Sequence, residues 1–125
     1  MDENNDNIKF LSAISYISVL FIVGHFAVEK DNPDLRFHKY QGAVLFAVFH
    51  ALYLAEGIVL LLLSFVPGLQ SIIAFLLTGA ISLAYIMMIV MGVSSAVKFE
   101  QKQLPFIGFF AVRLRETVDS KRRSN

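Results

Sequence analysis

Two long apolar stretches, Ala43–Val66 and Ile72–Val97, are parted by little more than Pro67-Gly68. Each exceeds the roughly 20 residues that an α-helix needs to cross a hydrocarbon core about 30 Å thick. So short a connection makes two such helices antiparallel neighbours. A soluble domain carries about a quarter charged residues, whereas this chain is 17% charged and 56% hydrophobic over 125 residues. These features predict a single all-α, polytopic membrane protein. The chain has no cysteine, which excludes disulfides, thiolate metal sites and a cysteine nucleophile.

Outside the hairpin, residues 1–7 form an acidic amino-terminal tail with Asp2, Glu3 and Asp6. Residues 8–28 are almost wholly apolar and read as a first span. An acidic start and the exit Val28-Glu29-Lys30 do not suit a cleaved signal peptide. Asn32-Pro33-Asp34 predicts a turn, because the residue before proline avoids the helical region. The second span is placed at about 38–66 and the third at about 72–97. Leu104 to Val118 is too short to cross. With Phe106, Phe109, Phe110 and Leu114 near one helical face, it predicts an interfacial amphipathic helix over about 105–117. Residues 8–118 form one membrane domain, and residues 119–125, with Lys121, Arg122 and Arg123, a disordered basic tail. The fold expected is three transmembrane helices plus a carboxyl-terminal interfacial helix.

The basic residues set an orientation. In a three-span chain the first loop and the carboxyl terminus share a side, and that side holds every one of the 11 basic residues except Lys9. The positive-inside rule then predicts a multi-pass protein of the cell (inner or plasma) membrane with its amino terminus outside and its carboxyl terminus in the cytoplasm.

The second span is the chemically richest. Arg36, His38 and Lys39 stand where lipid phosphates lie, Phe37 and Tyr40 at headgroup level, and Gln41 and Gly42 at the start of the bundle. Arg36, Phe37, His38, Lys39, Gln41 and Gly42 are therefore candidate partner- or lipid-binding residues, with structural anchoring the equal alternative. Residues 18 apart on a helix face the same way, which puts Glu56 on the His38 face with Gln41, Phe49 and Tyr53. Glu56 and Tyr53, with Ser82 and Tyr85 on the third span, form a candidate intramembrane polar site. A hydrogen bond from Glu56 to Ser82, Tyr85 or Thr78 is the plainer reading of that site, and a proton or cation site the sharper one. The opposite face carries Ala43, Ala47, Ala51 and Ala55, and the third span carries Gly92 and Ala96; such small residues let membrane helices approach closely. The Gly92 and Ala96 pair is expected to pack on the second span. His25 and His50 are also ionisable groups within spans, with snorkelling and a core hydrogen bond as their simplest roles.

No phosphate loop, paired metal-spaced histidines or nucleophile elbow is present. No catalytic residue, metal site or cofactor is assigned. The Lys121, Arg122 and Arg123 cluster fits anionic lipid better than nucleic acid.

Arg36-Phe37-His38-Lys39-Tyr40-Gln41-Gly42 resembles the F-H-x-x-Q-G signature of a bacterial and archaeal membrane-protein family of unknown function. That family is related to the channel-like component of the chloroplast inner-envelope protein-import machinery, and a magnetosome-membrane protein belongs to it as well. Leu104-Pro105-Phe106-Ile107-Gly108 is similar to its second landmark, L-P-x-I-G after the third span. The resemblance implies a fold and a location, not an activity.

The function expected is a small non-enzymatic integral membrane subunit, docking partners or copies of itself into a homo-oligomer or larger complex among anionic lipids. The alternative is a transport or channel element, for protein import, ions or small solutes, that uses the Glu56 stripe.

Overall fold

The computed structural model describes residues 3–17, 20, 22–26 and 32–124, the His25 side chain excepted; Lys30 and that histidine lie outside the described residues. All regular structure among the described residues is helical: α1 Glu3–Ile14, α2 Val23–Phe26, α3 Pro33–Leu62, α4 Pro67–Val97 and α5 Gly108–Ser124.

The hairpin of α3 and α4 dominates. Asn32 caps α3 from an extended backbone, its side-chain oxygen accepting from the Asp34 and Leu35 amides at 2.9 and 3.3 Å. Pro33 follows in the first helical position, where its missing N–H costs nothing. The turn expected at Asn32-Pro33-Asp34 is thus a helix start, earlier than the span it introduces. At the far end Pro67 begins α4 directly, and the Gln70 side chain donates to the Leu60 carbonyl at 3.1 Å across the tip.

At 30 and 31 residues, α3 and α4 are long and apolar enough to cross a membrane. The most apolar stretch of α4 buries none of its residues within the chain. Leu61, Leu62, Phe65, Phe75 and Leu83 are all well over half exposed. So much outward apolar surface needs lipid or protein against it.

The first expected span is not one continuous helix. α1 stops at Ile14 and the chain turns through Ser15, Tyr16 and Ile17. The Ser15 hydroxyl donates back to the Leu11 carbonyl at 2.7 Å, a local bond that competes with helix continuation. Tyr16 is drawn sideways into the bundle. α1 packs on both α3 and α4 and runs antiparallel to α4: Lys9 lies 5.0 Å over the Phe99 ring, just past the end of α4, and Tyr16 lies against Gly92 further in.

The end of α4 is closed by a Schellman arrangement. Glu100 N donates to Ser95 O at 3.0 Å and Phe99 N to Ala96 O at 3.1 Å, with Phe99 at φ 55° where glycine is usual. The chain then reaches Leu104, and α5 packs on α3. Leu104, Ile107 and Ala111 point inward, whereas Phe106, Phe109, Phe110, Leu114 and Val118 are exposed. The helix extends beyond its expected end near residue 117, so Ser120–Ser124 is helical where a disordered tail was expected. Thr117, Ser120 and Ser124 bond back to carbonyls of the preceding turn, and Lys121, Arg122 and Arg123 suit its negative end.

Candidate functional site: a clasp and a polar seam

The stretch from Arg36 to Gly42 faces inward. His38 and Gln41 are fully buried, and Phe37 and Lys39 nearly so. On a helix, His38, Gln41 and Leu45 follow one another at spacings of three and four, which brings them to a common face. That face meets the α1 turn and the chain leading into α5.

Three contacts make the clasp. The Tyr16 hydroxyl lies 2.6 Å from His38 Nδ1, with the two rings edge to face. The Gln41 carboxamide holds the loop with both ends: Nε2 donates to the Lys102 carbonyl at 3.1 Å, and Oε1 accepts from the Leu104 amide at 2.7 Å. Gly42 lies against the backbone of Ser15, so closely that a β-carbon would overlap the Ser15 carbonyl oxygen. The F-H-x-x-Q-G residues therefore grip the start of the L-P-x-I-G residues. Arg36 forms an ion pair with Asp119 of α5, and Gln101 donates to Asp34 at 2.7 Å, closing the clasp on its outer side.

His38 Nε2 and Ser12 Oγ are buried with no hydrogen-bond partner among the described residues. A buried polar atom left bare costs about 1 to 3 kcal/mol. The Tyr16 bond is therefore the only polar compensation shown for the His38 ring.

The candidate intramembrane site is assembled as a seam between α3 and α4. Phe49 stacks on Tyr85 with ring centroids 4.7 Å apart. The Tyr53 and Ser82 hydroxyls lie 2.9 Å apart, and Thr78 donates to the Glu56 carboxyl. Glu56 is buried. The four residues of the site do share one interface, and Glu56, Tyr53 and Ser82 each have a hydrogen-bond partner in the chain.

Small residues divide differently. Gly92 and Ala96 are buried, but Gly92 receives the Tyr16 ring of α1 rather than the second span on which it was expected to pack. Ala47, Ala51 and Ala55 are exposed, and Ala43 is half-buried. His50 shares that outer face and is exposed. It is bonded only to its own helix, Nδ1 donating to the Phe46 carbonyl at 2.8 Å.

Sequence reasoning missed Tyr16, the partner of His38, and the backbone groups of Lys102 and Leu104 that Gln41 holds. Tyr16 carries no local signal, being one aromatic residue in an apolar run. Comparison with family models, curated proteins and solved structures returned no match.

Proposed function

We propose that this chain is an integral membrane protein built as a non-enzymatic accessory or assembly subunit, which docks copies of itself or a partner helix on the outer face of α3. The observation that carries this reading is His50. It stands near the middle of α3, exposed, with Ala47 and Ala51 beside it. An imidazole turned to lipid at that depth is expensive, and small neighbours are what a second helix needs for close approach. Transport along the Glu56 stripe is the weaker reading, because the seam's polar groups already pair with one another.

The reading includes a topology. α3 and α4 are the two spans, the amino-terminal segment dips into the bilayer and returns, and α5 lies in the interface. Lys9 beside Phe99 and Tyr16 beside His38 support it, because they bring the α1 region to the end of the hairpin where α3 begins and α4 finishes. Lys9 then shares one side with the other basic residues among those described, and the positive-inside rule makes that side cytoplasmic. In this reading the amino terminus is cytoplasmic rather than outside. The proposed kinship to the F-H-x-x-Q-G family rests on the two motifs being halves of one clasp.

The test is the mass of the assembly in mild detergent and in native lipid. Ala51→Leu and His50→Leu are expected to disrupt it while leaving the melting temperature of the chain nearly unchanged. An unaltered assembly and partner set for both variants overturns the proposal.

A further inference from the structure

At the end of α4 lies a cleft of about 250 Å³ with an apolar floor and a charged rim. Val90 and Met91 form its apolar lining, and both are exposed. Lys98, Lys102 and Glu100 form the rim, with Ser94 and Gln103 among its polar lining. The cleft is separate from the clasp: Gln41 holds the backbone of Lys102 on one side of the loop, and the side chain of Lys102 is exposed.

We infer that this cleft is a binding site for one anionic phospholipid of single negative charge, such as phosphatidylglycerol. Two lysines against one glutamate leave the rim with one net positive charge, which complements a lipid of net charge −1 better than a zwitterionic lipid, whose own cation already offsets its phosphate. The lysines reach the phosphate, and the Ser94 hydroxyl and Gln103 amide are hydrogen-bond donors for the phosphate and glycerol oxygens. One acyl chain continues along Val90 and Met91, on a face already open to the bilayer. Basic pockets beside membrane helices on the cytoplasmic side are where anionic headgroups bind, and this rim stands on the side proposed to hold the described basic residues.

The fold prepares the site. The Schellman closure holds Glu100 N on Ser95 O, and the Ser95 hydroxyl donates to the Glu100 carbonyl. Gln41 fixes the loop two residues further on. The two lysines are thus displayed from a segment tied at both ends, which lowers the ordering cost of binding. The sequence pointed to Arg36, His38 and Lys39 for lipid, but His38 is fully buried, Lys39 nearly so, and Arg36 is paired with Asp119.

This inference rests on the membrane reading, and its test separates the two. Purified protein in mild detergent is offered phosphatidylglycerol or phosphatidylcholine, and retained lipid is counted by native mass spectrometry. The intact chain is expected to keep one phosphatidylglycerol in preference to phosphatidylcholine. Lys98→Gln and Lys102→Gln are each expected to weaken that retention about fivefold, and Glu100→Gln to strengthen it. The pair Lys121→Gln and Arg123→Gln, at the far end of α5, is expected to leave it unchanged. Equal retention of both lipids, or equal losses from the α5 pair and the rim pair, overturns the site. Either result leaves the membrane reading standing, which fails only if the chain does not partition into vesicles at all.

Discussion

The two ends of the α3–α4 hairpin are built on different principles. At the end where α3 begins, α1, α5 and the 98–107 loop close over buried His38, Gln41, Leu45, Leu104 and Ile107. Long-range hydrogen bonds and the close approaches at Gly42 and Gly92 fix the register there. Toward the tip, the two helices meet along a narrow seam and leave nearly everything else exposed. The first region is held by its own chain. The second is held by three side-chain pairs and relies on its surroundings for the rest. A chain can thus be specific at one end and permissive at the other, with lipid or a neighbouring helix completing what the sequence leaves open.

Gly42→Ala should give the largest effect. Its β-carbon falls on the backbone oxygen of Ser15, which cannot swing away as a side chain would. A loss of about 3 kcal/mol or more is expected in detergent melting. A melting curve matching the parent's would mean that the turn at Ser15 does not lie against α3. Gly92→Ala should cost less, because it meets the Tyr16 ring rather than backbone.

Gln41→Leu removes both ends of the loop clamp and strands the buried Leu104 amide. A cost of about 2 to 3 kcal/mol is expected, with faster proteolysis between residues 98 and 107. Unaltered cleavage there would place the closure of the loop elsewhere. Tyr16→Phe should cost about 1 to 3 kcal/mol, because it leaves the His38 ring without its bond. A double-mutant cycle with His38 should return coupling of about 0.5 kcal/mol or more.

The seam should be more forgiving. Glu56→Gln keeps an acceptor for Thr78, and a loss under about 1 kcal/mol is expected. Reconstituted vesicles carrying it should show the parent's ion flux; an altered flux would revive the transport reading. Arg36→Ala, which breaks a partly exposed ion pair, is expected to cost less than about 1 kcal/mol. Cysteines placed at Asn4 and Ser124 should both be shielded from an impermeant reagent in intact cells, and labelling at Asn4 would restore a crossing first segment.

Much of the tip was legible from local pattern alone. Ala43–Val66 and Ile72–Val97 around Pro67-Gly68 give two antiparallel helices, because length and hydropathy act residue by residue. Glu56, Tyr53, Ser82 and Tyr85 could be placed on facing stripes because helical periodicity decides which residues share a side. The clasp could not be read this way. Nothing near Tyr16 says that its hydroxyl ends 2.6 Å from His38, 22 residues on, and nothing near Gln41 says that it holds a loop 61 residues away. Residues 8–28 are apolar enough to cross, yet the chain turns at Ser15 because α3 offers a glycine there and a histidine beside it.

By itself the sequence determined the helical class, the hairpin and the polar seam. Each follows from periodicity or length. Only the tertiary structure decided that Arg36–Gly42 turns inward, that α1 stops at Ile14 and the chain turns through Ser15 and Tyr16, and that two exposed lysines at the end of α4 frame a cleft. Those outcomes depend on which distant surfaces meet, and a contact between residues tens of positions apart is selected by the fit of the whole bundle rather than by any local preference.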